Sequence, residues 1–201
     1  ERQVDMLRKA GINDISIVRG YQADKIQIEG LKYYLNPDFA TTNMVETLFC
    51  AENELDGKEE VLVCYADIIY EQKVLEKIKS EELEVGVTVD EDYWEYWMAR
   101  AEKPEEDIES LVIEEGKIVE LGDTLCSRDK AQVRYVGLLK FSKEGVEELK
   151  RVYHEQKEKY SLVNQPWMRS KSFKKSYMTC MIQALINYGV EVTPIVIRRG
   201  W

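Results

Sequence analysis

Residues 61–70, Val-Leu-Val-Cys-Tyr-Ala-Asp-Ile-Ile-Tyr, join a continuous apolar run to a carboxylate. After the polar Lys58-Glu59-Glu60, such a run predicts a strand buried on both faces, as in a parallel sheet covered by helices. Asp67 then stands at the carboxyl end of that strand, the edge at which open α/β sheets bind ligands. A carboxylate inside an apolar segment is costly unless it is paired or holds a metal. The other reading of Asp67 is a helix cap, because a helical pattern runs from Glu71 to Lys79.

The remaining pattern repeats this alternation. A helix over residues 1–10 shows Val4, Leu7 and Ala10 on one face and Gly11 at its C-terminal end. Short strands follow at residues 14–18 and 31–35. Thr41-Thr42-Asn43 is placed to cap a helix from Met44 to about Leu55, and another strand spans residues 83–89. Strand and helix alternating at this spacing predict a doubly wound α/β fold, with a mostly parallel mixed sheet and helices on both faces. The rhythm breaks at the aromatic segment 93–97, Tyr-Trp-Glu-Tyr-Trp, and at the acidic run 102–109, read as a solvated loop. A hairpin over residues 110–121 turns at Glu115-Gly116 and reads as an insertion. A strand at 134–141, a polar helix from Ser142, a basic segment at 169–175, a helix at 177–188 and a strand at 192–197 complete the order.

Composition narrows the partners. With 201 residues and 44% hydrophobic side chains, the chain can bury the core of one domain. A formal net charge of −10 opposes a nucleic-acid partner, which needs a basic face, yet leaves room for a small phosphate ligand. Cys50, Cys64, Cys126 and Cys180 are widely spaced and lie mostly in apolar segments, the usage of reduced cysteines in a cytoplasmic protein. No apolar run is long enough for a membrane-spanning helix.

Several strings in this order resemble the nucleotidyltransferases of the pyrophosphorylase type, and among them the small cytidylyltransferases acting on phosphocholine or 2-aminoethylphosphonate. They are residues 1–20, the segment Asn36 to Leu48, Tyr65-Ala66-Asp67-Ile68, the region from Asp90 through Tyr93, Trp94 and Trp97 to the hairpin, and residues 193–201. The resemblance implies a nucleotide-diphospho-sugar transferase-like, Rossmann-like fold. It also implies transfer of a nucleotidyl group, cytidylyl above all, from an NTP to a small phosphate- or phosphonate-bearing acceptor, with release of pyrophosphate. It assigns Asp67 to catalysis as a Mg²⁺ ligand, and Thr42 and Asn43 to the nucleotide.

Asp90, Tyr93, Trp94 and Trp97 fall to the acceptor, since aromatic faces with a carboxylate suit an ammonium head group. Their helical spacing is equally that of plain packing. Cys180 departs from the aspartate that the resemblance expects, which bears on the choice of acceptor. His154, on a polar helix, is read as a surface residue. The resemblance places a glycine-rich phosphate loop before Glu1 and a second metal carboxylate after Trp201, so residues 1–201 are expected to be one nucleotidyltransferase domain truncated at both ends. A homodimer is compatible with it. A sugar-1-phosphate nucleotidyltransferase and a degenerate nucleotide-binding scaffold are the alternatives. A glycosyltransferase of related fold is disfavoured because Tyr65 replaces the first residue of Asp-x-Asp.

Overall fold

In a computed structural model, which describes residues 1–100, 102–162 and 165–201, the expected alternation folds around a four-stranded sheet. Its strands are β3 (Val61–Cys64), β7 (Arg134–Phe141), β4 (Val85–Asp90) and β8 (Val192–Ile197), in that spatial order. β3, β4 and β8 run in one direction, and β7 enters between β3 and β4 antiparallel to both. Their carboxyl ends, and the amino end of β7, therefore share one edge. Two parallel strands, β1 (Ser16–Arg19) and β2 (Lys32–Leu35), form a separate pair, and β5 (Leu111–Glu114) with β6 (Lys117–Leu121) forms the expected hairpin. Glu115 and Gly116 both adopt positive φ at its two-residue turn, the geometry that matches strand twist.

Side-chain alternation builds a core on each face of the sheet. Val61 and Val63, with Val85, Val87, Leu139 and Val192, face α2 (Met44–Phe49), α5 (Lys143–Tyr160), α6 (Met178–Asn187) and the hairpin. Leu62 and Cys64, with Leu138, Ile195 and Ile197, face α1 (Arg2–Lys9) and α3 (Gln72–Ser80). Helices thus cover both faces, as the spacing predicts. α4 (Tyr93–Arg100) starts just past the end of β4.

Two expectations need correction. β3 stops at Cys64 and is only half-buried, because among the described residues it pairs on one side alone; the strand buried throughout is β4. α2 ends at Phe49 rather than near Leu55, and a 3₁₀ turn covers Glu52–Glu54. Phe49 and Leu55 both enter the core. On one continuous α-helix their side chains would point about 120° apart, and the break lets both face inward.

Candidate functional site

Asp67 lies in the turn that follows β3, at the shared carboxyl edge, and its side chain is exposed. α3 begins five residues later behind Glu71, so the capping reading of Asp67 does not apply. The turn is fixed at its entry by the Tyr65 N–H donating to the Gly137 carbonyl (2.9 Å) and at its exit by the Glu71 N–H donating to the Gly200 carbonyl (2.7 Å).

Opposite Tyr65, β7 carries a bulge. Val87 pairs with Leu139 and Val89 with Tyr135, so β7 spends two more residues than β4 on the same span, and Gly137 takes φ +82°. A Cβ at Gly137 would lie 2.9 Å from the Tyr65 ring. The bulge brings Tyr135 edge-on to Tyr65, with ring centroids 5.6 Å apart. Burial, together with the nearby Glu109 and Asp67 carboxylates, pushes the Tyr65 phenol upward, and burial pushes Tyr135 in the same direction. The Tyr135 hydroxyl is buried and lacks a hydrogen-bond partner among the described residues. Arg134 pairs with Glu109 at 3.4 Å. Tyr65, Glu109, Arg134 and Tyr135 thus join Asp67 at this edge. Tyr135 and Arg134 were legible only as members of a strand, and Glu109 only as part of an acidic run.

The expected acceptor residues are distributed differently from the sequence reading. Asp90 ends β4 and is only 2% exposed. Its Oδ1 accepts the Arg199 and Asp92 backbone N–H groups, both at 3.0 Å, and its Oδ2 accepts the Trp201 indole N–H at 2.7 Å. The carboxylate is thus an anchor for the segment after β8. Tyr93 is buried, and its hydroxyl donates to the Ala131 carbonyl at 2.7 Å. Trp97 is buried as well, and its indole donates to the Asp107 carbonyl at 2.8 Å. The end of the acidic run is therefore folded against α4 instead of forming a wholly solvated loop. Trp94 is half-buried, with the Arg128 guanidinium 4.2 Å from its ring centroid. The Arg134 guanidinium lies 4.5 Å from the Trp97 ring. The aromatic faces expected to receive a ligand cation already carry the chain's own cations.

Thr42 and Asn43 shape the start of α2. Thr42 donates to the Asp38 carbonyl and accepts from the Asn36 amide, while the Asn43 side chain accepts the Met44 N–H at 2.9 Å. The Asn43 N–H donates to the Lys174 carbonyl and the Val45 N–H to that of Ser176. These bonds set the basic segment 169–175 against the Thr42-Asn43 cap. Cys180 is buried in α6 with its sulfur 3.1 Å from the Ser170 hydroxyl, and His154 is an exposed partner of Glu52.

Comparison with curated proteins finds a CTP:phosphoglutamine cytidylyltransferase from Campylobacter jejuni, 32% identical over 208 residues, covering 99% of this chain and 80% of the relative. The chain belongs to the cytidylyltransferases. As a cytidylyltransferase it is an enzyme of the nucleotidyltransferase class. No family model matches it.

Solved structures support the fold of this cytidylyltransferase. The inositol-1-phosphate CTP transferase of T. maritima superposes with a TM-score of 0.68 at 14% identity, covering 100% of this chain and 73% of that one. A putative glucose-1-phosphate thymidylyltransferase of Bacillus anthracis gives 0.65 at 15%, covering 100% and 74%. The CTP:phosphocholine cytidylyltransferase of Streptococcus pneumoniae gives 0.63 at 16%, covering 98% and 75%. No helix among the described residues is long and apolar enough to cross a membrane.

Proposed function

We propose that this cytidylyltransferase moves the cytidylyl group of CTP onto the phosphate of a small acceptor that also bears a carboxylate, of the phosphoglutamine kind, with Mg²⁺ held by Asp67. An acceptor phosphate oxygen attacks the α-phosphorus of CTP, the new P–O–P linkage forms, the bond to the β-phosphate breaks, and pyrophosphate leaves with the electron pair. Little covalent work falls to the protein in such a transfer; alignment and charge neutralisation carry it.

The observation that carries the metal assignment is Asp67 itself. Among the described residues its exposed carboxylate has no hydrogen-bond or ion-pair partner, and hard oxygen donors of this kind suit Mg²⁺. No group of three or more His, Cys, Asp or Glu side chains forms a cage for a metal among the described residues. This suits a cation held by one or two carboxylates together with phosphates and water. Bound there, Mg²⁺ would neutralise charge on the triphosphate. Asn43 and Thr42, with Lys174 and Lys175 brought beside them, form the polar rim proposed for the nucleotide.

For the acceptor, the arginines support the carboxylate reading. Quaternary ammonium recognition needs an open aromatic face, whereas the Arg128 guanidinium covers Trp94 and the Arg134 guanidinium covers Trp97. Guanidinium groups match carboxylates and phosphates in fork geometry. The relative's substrate name points the same way, because glutamine carries an α-carboxylate that phosphocholine lacks.

A pyrophosphate-release screen of the protein carrying residues 1–201, crossing four NTPs with phosphoglutamine, phosphocholine, inositol-1-phosphate and glucose-1-phosphate, tests the reading. Turnover is expected with CTP and phosphoglutamine. Preference for phosphocholine would overturn the carboxylate reading, preference for glucose-1-phosphate would favour a sugar nucleotidyltransferase, and CTP binding without turnover would favour a scaffold domain.

A further inference from the structure

The turn bearing Asp67 has no regular secondary structure between Cys64 and Gln72, yet a metal-binding carboxylate has to be held within about 0.5 Å of its working position. Backbone bonds secure the ends of this segment at Tyr65 and Glu71, and neither reaches its middle. A side chain from another helix does. The Gln3 carboxamide, on the first turn of α1, donates through Nε2 to the Tyr65 carbonyl at 2.9 Å and to the Ile68 carbonyl at 2.6 Å. Those carbonyls flank Ala66 and Asp67, so one NH₂ group bridges the turn across its tip. The contact joins residues 62 and 65 positions apart, and Gln3 is half-buried.

A primary amide fits this task for chemical reasons. It supplies two N–H donors in one plane, one for each carbonyl, and no charge. A lysine could also donate twice, but its ammonium would compete for Asp67. A glutamate would present acceptors to two acceptors. Asparagine is one methylene shorter and would not span both carbonyls.

We infer that Gln3 is the positioning residue of the Asp67 turn: its carboxamide locks the two flanking carbonyls, and thereby the direction in which the carboxylate meets the cation. The inference rests on the metal role proposed for Asp67. Groups that orient a metal ligand typically account for 10–100-fold in metal affinity or activity. Gln3 is therefore a determinant of metal affinity that itself touches neither metal nor substrate.

The test compares wild type with Gln3→Met, which keeps the side-chain length and apolar contacts but removes both donors, and with Gln3→Asn and Asp67→Asn. The probe is Mn²⁺, whose free concentration is followed by electron paramagnetic resonance in the presence of CTP; Tm, kcat and the KM for CTP are measured alongside. Gln3→Met is expected to weaken Mn²⁺ binding and to lower kcat by about tenfold or more, with Tm and the KM for CTP near wild type. Gln3→Asn should fall between the two. Unchanged Mn²⁺ affinity in Gln3→Met, whether or not Tm falls, overturns the positioning role. If Asp67→Asn retains both Mn²⁺ affinity and turnover, the metal reading beneath it fails instead. Loss in Asp67→Asn beside an unaffected Gln3→Met separates the two failures.

Discussion

The Trp201 indole N–H donates to Oδ2 of Asp90 at 2.7 Å, while Oδ1 of the same carboxylate holds the Arg199 and Asp92 backbone N–H groups. A buried carboxylate with three donors costs most when one of its acceptors is lost. Asp90→Asn turns an acceptor into a donor facing either the indole or the backbone, and is expected to lower stability by about 1–3 kcal/mol. Urea denaturation measures this. A rise in acceptor KM at unchanged stability would return Asp90 to the head-group role read from the sequence.

Asp67→Asn should behave in the opposite way. The side chain is exposed and makes no partner contact among the described residues, so stability should stay within about 0.5 kcal/mol of wild type. Loss of its charge at the metal should cut kcat by about 10²-fold or more. Chelation of wild type with EDTA should abolish pyrophosphate release, and added Mg²⁺ should restore it. Full turnover in either experiment would refute the assignment.

The contrast between these two aspartates shows what local pattern conveys. Both are read from the sequence as ligand residues at strand ends, although Asp90 ends β4 and Asp67 lies in the turn past β3. What separates them is which distant groups arrive: Trp201 and Arg199 return to Asp90 from the end of β8, while none of the described side chains pairs with Asp67. The strands 134–141 and 192–197 and the hairpin turn at Glu115-Gly116 were legible because each is local in pattern. The reversed entry of β7 between β3 and β4 was not, since direction depends on connections. Nor were the guanidinium stacks, because Arg128 and Arg134 reach Trp94 and Trp97 from far along the chain.

Arg128→Gln removes the guanidinium above Trp94 and keeps a polar side chain of similar length. The KM for a carboxylated acceptor should rise about tenfold, the loss expected for one charge-assisted hydrogen bond. The KM for CTP should hold. Equal effects on both substrates would place Arg128 outside the acceptor site.

Cys64 supplies a pH signature. Burial raises its thiol from 9.0 to about 11, so the folded state favours the neutral form. The resulting stability is complete below the ordinary thiol value and is lost as pH rises from about 9 towards 11. Urea midpoints of wild type and Cys64→Ala should converge over that range, and alkylation of Cys64 in the native protein at pH 8 should be slow. Rapid labelling at pH 8 would contradict the burial.

Gly137→Ala sets a methyl group 2.9 Å from the Tyr65 ring at a backbone angle that side chains avoid. Strain of this kind costs on the order of 1–3 kcal/mol. Because the Gly137 carbonyl also receives the Tyr65 N–H, kcat should fall with stability, as stopped assays and urea denaturation would show. A variant as stable and active as wild type would show that the bulge relaxes freely.

The same bulge sets the phase of β7. Successive strand residues point to opposite faces, so the surplus residues at 136–138 decide which side of the sheet each residue beyond them serves. Deleting a single residue there would invert the strand's amino end, sending Arg134 where Tyr135 now packs and Val133 where Arg134 meets Glu109. The position tolerates insertions and deletions only in pairs, and a lineage that lost one residue would exchange the cation beside Trp97 for the aliphatic Val133 in one step.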